Sequence, residues 1–162
     1  MDNLDITCCQ INLRKSNAAS TQINNRSENI VLITEPTAAA GKVSNISRQN
    51  TRLFAHVGRG PDDAPRAALR VGKDLNPWQV DEYTSRDMCV VAVKIKSKLI
   101  YLCSLYLDIT MDPKNPLFEQ LVDVCNHERI PLIVGMDSNS HSPLWGCPDK
   151  NERGEALEDI FL

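Results

Sequence analysis

Hydrophobic residues fall into short runs that are separated by polar segments rich in turn-forming residues. The apolar and β-branched runs predict strands over residues 4–12, 30–34, 53–57, 67–71, 88–95, 99–106 and 131–136. Apolar residues at helical spacing predict helices over 15–26 and 115–127, and a last helix from about residue 153 to the apolar pair Phe161 and Leu162. The runs at 88–95 and 99–106 are close neighbours in sequence, which favours an antiparallel hairpin buried on both faces. Strands mixed with helices over this length indicate an α/β or α+β sandwich.

Length and composition are those of an ordinary globular chain of 162 residues, 42% hydrophobic and 24% charged, with a formal net charge of −3. The most apolar run, residues 88–93, is far shorter than the roughly 18 to 20 residues of a membrane span, so no membrane partner is expected. Asp2 and Asp5 stand where a secretory signal would carry basic residues, which favours an intracellular protein. We expect a single domain over residues 1–162.

The six cysteines do not form a recognisable disulfide or metal pattern. Cys8 and Cys9 are adjacent, and no pair has the C-x-x-C spacing, so we interpret the cysteines as reduced core thiols. A weak alternative is a zinc site, although its spacing fits a structural site poorly. Its ligands would be Cys125, His127, His141 and Cys147.

Charge is distributed unevenly along the chain. Residues 42–73 carry seven cationic side chains and two aspartates, a local net charge of +5, which leaves −8 for the rest. A basic segment on an acidic protein suits a phosphate-bearing partner that binds along one face. A solvated loop region would explain the same charge and is the simpler interpretation of charge alone.

Four predicted strands end in residues that can take part in chemistry. These residues are Asn12, Glu35, Tyr106, and the pair Asp137 and Asn139. Strand ends in layered α/β folds meet at one rim, so groups far apart in sequence can converge there. Each residue also has a purely structural interpretation, as a turn former, a solvated carboxylate or a core ring with a surface hydroxyl.

Carboxylates together with an amide and a phenol favour a particular class of chemistry. This set contains no serine or cysteine nucleophile paired with a histidine, and it fits an oxygen-seeking cation such as Mg²⁺ better than zinc. A bound Mg²⁺ indicates a phosphate-containing substrate, with a second carboxylate available to deprotonate the attacking water.

Several strings resemble the endonuclease/exonuclease/phosphatase superfamily, and more closely the endonuclease domain of non-LTR retrotransposons. The strings are "CQINLRKS", "ITEP", "RAALRV", "YLCSLYLD", "GMDSNSHSPLWG" and "NERGEALEDIF". Each string alone is weakly specific, but their order and spacing cover nearly the whole chain. The resemblance implies a two-sheet β-sandwich flanked by helices.

The resemblance also implies roles for the residues at the strand ends. Glu35 would bind Mg²⁺ (or Mn²⁺), and Asn12 would bind metal or phosphate beside it. Asp137 would activate the water, Asn139 would orient that aspartate and the scissile phosphate, and Tyr106 would donate a hydrogen bond to the phosphate. Candidates for contact with double-stranded DNA are Arg66, Arg70 and His141.

One departure from the family pattern affects the expected activity. Members continue past the last helix into strands that carry a Ser-Asp-His signature, and this sequence does not contain that segment. We therefore expect an incomplete domain with an exposed sheet edge and weak or no cleavage, since the loss of one preorganised group costs roughly 10²- to 10³-fold in rate. His141 is a poor substitute for the missing histidine and is better interpreted as a loop residue near DNA.

The leading hypothesis is a Mg²⁺-dependent DNA endonuclease that nicks a target for retrotransposition, which implies action in the nucleus. A catalytically dead nucleic-acid-binding remnant of a decayed element is the first alternative. A phosphatase of the same fold that acts on a small phosphoester is the second. Target preference would reside in surface loops, for which residues 36–52 are the main candidate.

Overall fold

A computed structural model describes residues 5–161, which form ten strands and three α-helices. In chain order these are β1 (Cys8–Asn12), α1 (Asn17–Asn24), β2 (Ile30–Thr34), β3 (Ala38–Ala39), β4 (Lys42–Val43), β5 (Thr51–Ala55), β6 (Ala67–Gly72), β7 (Trp78–Gln79), β8 (Met88–Ile95), β9 (Lys98–Tyr106), α2 (Pro116–Glu128), β10 (Leu132–Asp137) and α3 (Glu152–Phe161). Short 3-10 turns lie at Pro61–Asp63, Lys73–Leu75, Asp81–Tyr83 and Pro143–Trp145.

The longer strands form two four-stranded mixed sheets. The first sheet has the order β1-β2-β6-β5, and the second has the order β10-β9-β8-β7. In each sheet one edge pair, β1 with β2 and β10 with β9, is parallel, and the other pairs are antiparallel. Strands β3 and β4 form a separate small hairpin.

The two sheets pack face to face over a shared apolar core. Side chains from β2 and β6 meet those from β8 and β9, including Leu32, Leu69, Val91 and Leu102. All five residues of β2 are buried because its other face is covered as well. This two-sided burial explains why β2 is a continuous apolar run and not an alternating one.

Helices cover the outer face of each sheet. Ile23 of α1 is fully buried against Val31 and Ile33 of the first sheet. Phe118 of α2 and Leu157 of α3 are in the apolar cluster that covers the second sheet. The result is a two-sheet sandwich flanked by helices, so the predicted fold class is confirmed.

Most predicted elements are present, with small shifts in their bounds. The hairpin of β8 and β9 is confirmed over nearly its whole length. Helix α1 is shorter than predicted because Arg14 and Lys15 have positive φ angles of 46° and 54°, so the helix begins only after the capping residue Ser16. Residues 36–52 contain the β3–β4 hairpin, and β7 was not predicted. Leu4 of the first predicted strand and Leu162 lie outside the described residues.

No helix within residues 5–161 is both long enough and apolar enough to cross a membrane.

Candidate active site

The parallel pairing of β1 with β2 places Asn12 beside Glu35. Asn12 pairs in register with Thr34, and Glu35 is the next residue. The Glu35 N–H donates to the carbonyl of Arg66 at 2.8 Å, and the Glu35 carbonyl accepts from the N–H of Lys15, also at 2.8 Å. Glu35 has a φ of 48°, in the left-handed region that non-glycine residues rarely adopt. These contacts hold the carboxylate in a fixed place at the end of the first sheet.

The second sheet presents its polar residues in the same way. Asp137 at the end of β10 pairs in register with Tyr106 at the end of β9. The Leu107 N–H donates to the carbonyl of Asp137 at 2.9 Å. Asn139 donates its backbone N–H to Asp137 Oδ1 at 3.3 Å and its side-chain amide to the Leu107 carbonyl at 2.9 Å. Asn139 therefore fixes the aspartate and joins the ends of both strands.

One amide group brings the two sheets together at this rim. Asn12 Nδ2 donates to Glu35 Oε2 at 3.0 Å and also to Asp137 Oδ2. The Asn12 Oδ1 accepts from the Arg14 N–H at 2.8 Å, which orients the amide nitrogen toward both carboxylates. The structure thus brings Asn12, Glu35 and Asp137 into one group.

Tyr106 lies at the same rim, and its surroundings favour the protonated phenol. Burial raises the pKa of Tyr106, and the negative charges of Glu35, Asp108 and Asp137 raise it further, while Arg66 opposes them. The guanidinium carbon of Arg66 lies 4.8 Å from the centre of the Tyr106 ring. The hydroxyl therefore keeps its proton at neutral pH and can donate a hydrogen bond.

Arg66 is a central structural residue of the site. Its guanidinium donates to both carboxylate oxygens of Asp87, with an Nη2–Oδ2 distance of 2.7 Å, and to Asp108 Oδ2. These aspartates raise the pKa of Arg66 well above its usual value. The Asp87 carbonyl in turn accepts from the Tyr106 N–H at 2.9 Å. Sequence reasoning proposed Arg66 for DNA contact, but two carboxylates already pair with its charge.

Sequence reasoning did not single out Asp87 and Asp108. Asp108 is the last residue of the string "YLCSLYLD", and Asp87 immediately precedes the apolar strand β8. The available signal was two acidic residues that flank the neighbouring strands β8 and β9, but the arginine that they share precedes β6 of the other sheet.

The structure corrects the prediction for Arg70. Its side chain is on β6 and only 3% of the residue is exposed. The guanidinium donates to the carbonyls of Ile23 at 2.8 Å and Arg26 at 3.2 Å. Arg70 therefore secures the end of α1 and is not on a DNA-facing surface. A β-strand sends alternate side chains to opposite faces, and Arg70 is on the face that α1 covers.

His141 is exposed and lies on the loop that follows Asn139. Its Nδ1 is 3.1 Å from Asp149 Oδ1, and no hydrogen bond to Asn12, Glu35, Tyr106 or Asp137 is present within residues 5–161. The alternative zinc grouping is not assembled either, because no cluster of three or more His, Cys, Asp or Glu side chains in that range could hold a metal.

The donor set at the rim fits a divalent cation that prefers oxygen ligands. Glu35 and Asp137 are two carboxylates held around a single amide nitrogen, and like charges this close are stabilised by a cation. Mg²⁺ is commonly bound by one or two carboxylates while it keeps several waters and substrate oxygens. The residues present match that requirement.

A cavity of about 510 Å³ is lined in part by Pro36, the residue that follows Glu35. Lys15, Arg66 and Arg86 line it together with backbone and small side chains of the β3–β4 hairpin. Three cationic side chains therefore line this cavity, and one of them, Arg66, is already paired with Asp87 and Asp108.

Comparisons with known proteins agree with this architecture. A family model described as "Endonuclease-reverse transcriptase" matches residues 100–162, which include most of β9 and all of α2, β10 and α3. One similar solved structure is the endonuclease domain of TRAS1, a telomere-specific non-LTR retrotransposon, with a TM-score of 0.69 and 24% identity. The match covers 95% of this chain and 68% of that one. The predicted resemblance to retrotransposon endonuclease domains is confirmed. No curated protein matches this sequence. The structural match therefore extends over both sheets, whereas the family model covers only the part of the chain that contains Tyr106, Asp137 and Asn139.

Proposed function

We propose that this protein is a Mg²⁺-dependent DNA endonuclease that nicks one strand of a duplex. The observation that carries this proposal is the amide of Asn12, which donates to Glu35 and Asp137 from two different sheets. A site built only from carboxylate, amide and phenol groups is suited to phosphodiester hydrolysis and contains no covalent nucleophile.

Glu35, with Asn12 beside it, would hold Mg²⁺, which when bound polarises a phosphoryl oxygen and stabilises negative charge on the leaving oxygen. The amide nitrogen of Asn12 faces the carboxylates, so direct ligation by its oxygen would require the amide to turn and release the Arg14 N–H. Asn12 therefore serves in this orientation to hold Glu35 and Asp137 in place.

Asp137 would act as the general base. It takes a proton from water as the water oxygen bonds to phosphorus, and the bond from phosphorus to the 3′ oxygen breaks. The 3′ oxygen receives a proton from solvent, which leaves a 3′ hydroxyl and a 5′ phosphate. Asn139 holds Asp137 through its backbone N–H, and Tyr106 donates its phenolic proton in a hydrogen bond to the phosphate as charge develops.

Double-stranded DNA is the proposed substrate. Lys15 and Arg86 line the cavity that includes Pro36 and can neutralise backbone phosphates, in place of Arg70, which is buried. We further propose action on chromosomal DNA in the nucleus. Cleavage by the 162-residue chain is expected to be slow, because no histidine contacts the assembled group within the described residues.

Nicking of supercoiled plasmid under single-turnover conditions, with excess protein and Mg²⁺, tests this function. We expect Asp137→Asn and Glu35→Gln to lower the nicking rate by about 10²-fold or more. Asp123→Asn is the matched control, since Asp123 is exposed on α2, and its rate should equal that of the parent.

Equal nicking by Asp137→Asn and the parent would contradict the proposal, since the activity would then come from elsewhere. Salt-sensitive DNA binding without any nicking would support the binding-remnant alternative. Hydrolysis of a small phosphoester without nicking would support the phosphatase alternative.

A further inference from the structure

Two loops follow the residues that β9 and β10 contribute to the candidate site. The β9 loop (residues 107–113) follows Tyr106, and the β10 loop (residues 138–142) follows Asp137. Neither loop forms a helix or strand, so other contacts must fix its path. Their backbone carbonyls face a single side chain from the last helix.

That side chain is Arg153, in the first turn of α3. An arginine has five N–H donors, and all five are used on carbonyls of the two loops. On the β10 loop, Nε donates to the Asn139 carbonyl at 3.2 Å and Nη2 to the Ser138 carbonyl at 3.3 Å. On the β9 loop, Nη2 donates to the Asp108 carbonyl at 3.1 Å, and Nη1 donates to the carbonyls of Ile109 at 3.4 Å and of Met111. Arg153 therefore joins two loops that are about 30 residues apart in sequence.

The start of α3 is itself held against the β10 loop. Asn151 Oδ1 accepts from the Gly154 N–H at 2.8 Å, in the manner of a helix N-cap, and from the His141 N–H at 3.0 Å. The Asn151 N–H donates to the His141 carbonyl at 3.2 Å. A Cβ atom at position 154 would lie 1.8 Å from that carbonyl oxygen, so only glycine permits this approach.

We propose that Arg153 is a positioning residue that fixes both loops together and thereby sets Asp137 and Asn139 relative to Tyr106 and Asp108. All five of its N–H donors bond to backbone carbonyls of the loops, so its guanidinium has no donor left for substrate and acts through these residues. The segment Asn151–Gly154, part of the string "NERGEALEDIF", has a structural reason in this arrangement: the asparagine caps, the arginine joins the loops, and the glycine allows close contact. The consequence for cleavage rests on the proposed function, whereas the coupling of the loops does not.

Lysine is the informative replacement because it keeps the positive charge and loses the geometry. Its ammonium is a compact group with three donors and cannot reach five carbonyls of two loops at once. Arg48→Lys is the matched control, since Arg48 is exposed and its side chain makes no hydrogen bond within the described residues.

Hydrogen–deuterium exchange measured by mass spectrometry tests the coupling directly. In Arg153→Lys we expect exchange to accelerate by about tenfold or more in peptides from both loops, with the β8–β9 hairpin unchanged. Arg48→Lys should match the parent throughout. Adding guanidinium ion to Arg153→Ala should restore part of the protection in both loops.

Faster exchange in one loop alone, or in neither, would overturn the proposal. Faster exchange across β8 and β9 as well would also overturn it, because Arg153 would then stabilise the whole sandwich and not the loops. Gly154→Ala supplies a second variant that retains the guanidinium, and we expect it to loosen the β10 loop first.

Nicking kinetics separate this inference from the proposed function. If the chain nicks DNA, Arg153→Lys should lower kcat by about tenfold or more with little change in KM, since it disturbs positioning and not DNA binding. A rise in KM with kcat unchanged would contradict the positioning role. If no variant or parent nicks DNA while both loops loosen together, the proposed function fails and the positioning role stands.

Discussion

The side-chain amide of Asn12 donates to the carboxylate of Asp137, although 125 positions separate the two residues along the chain. The same amide nitrogen donates to Glu35 at 3.0 Å. A single neutral group thus holds two carboxylates that belong to different sheets. Replacing this amide with a third carboxylate should change how stability depends on divalent cations.

We therefore expect Asn12→Asp to be destabilised in the presence of a chelator by about 1–3 kcal/mol, because three carboxylates would repel one another without a donor between them. Millimolar Mg²⁺ should restore most of the loss. Thermal melts with EDTA and with Mg²⁺ measure both effects, and Gln120→Glu on the exposed side of α2 is the matched amide-to-acid control. An Asn12→Asp variant that melts at the same temperature in both buffers would refute this expectation.

Arg66 should be a major contributor to stability. Its side chain is only 14% exposed and donates to both Asp87 and Asp108. Arg66→Ala leaves two partly buried carboxylates without a partner, and we expect a loss of about 2–4 kcal/mol in the free energy of unfolding. Urea denaturation measures this loss. Arg59→Ala at an exposed position should have little effect, and a loss of similar size there would show that the Arg66 contacts are not responsible.

Acid stability should depend on Asp108. The backbone N–H and hydroxyl of Thr110, followed by Arg66, hold the pKa of Asp108 well below its usual range. Because the pKa is lower in the folded chain than the ordinary value near 4, the carboxylate stabilises the fold above about pH 4 and this contribution is lost as pH falls. Melting temperatures from pH 6 to pH 2.5 should therefore fall less steeply for Asp108→Asn than for the parent. Asp112→Asn is the neighbouring control, and identical slopes for Asp108→Asn and the parent would count against this assignment.

Alkaline titration should reveal tyrosines whose pKa is raised in the folded protein. Burial is the main cause that raises the pKa of Tyr83, Tyr101 and Tyr106, which are all the tyrosines in the chain. The folded state favours the protonated phenols. Their contribution to folding stability is therefore complete below the ordinary pKa of about 10 and is lost as pH rises above it. Absorbance at 295 nm should show little tyrosinate in the folded protein at pH 10. A tyrosine that ionises near pH 10 while circular dichroism remains native would contradict a raised pKa for all three tyrosines.

Gly135 should tolerate no side chain in β10. A Cβ atom there would lie 2.9 Å from both the Gln10 Cγ and the Leu32 Cβ atoms of the first sheet. We expect Gly135→Ala to lower the free energy of unfolding by about 1–3 kcal/mol, because the two sheets must separate locally. Gly60→Ala is the matched control, since nothing lies within 4 Å of a Cβ atom at position 60. Equal urea midpoints for the two variants would show that the sheets can adjust at no cost.

Local patterns predicted the strands and the larger helices well. The β8–β9 hairpin and α2 were predictable because β-branched runs and helical spacing of apolar residues report local burial directly. The β3–β4 hairpin and β7 were missed, since each of their strands has only two residues and no hydrophobic period.

The candidate site was partly predictable for a different reason. Asn12, Glu35, Tyr106 and Asp137 each end or immediately follow an apolar strand, and strand ends share a rim in a layered fold. Whether an arginine faces solvent or the interior is not encoded in that pattern. Arg66 and Arg70 lie only four positions apart. Arg66 pairs with two aspartates at the rim, whereas Arg70 is buried and donates to the Ile23 carbonyl near the end of α1.

The sequence by itself determined the strands, the helices and the residues that stand at the strand ends, because these depend on the periodicity of burial along a short stretch of chain. Only the tertiary structure decided that one asparagine amide joins Glu35 to Asp137, that Arg66 is paired with carboxylates, and that Arg153 joins two loops. Each of these contacts depends on the register and packing of elements far apart in the chain, and hydrogen-bond partners at that distance are chosen by three-dimensional position and not by local pattern.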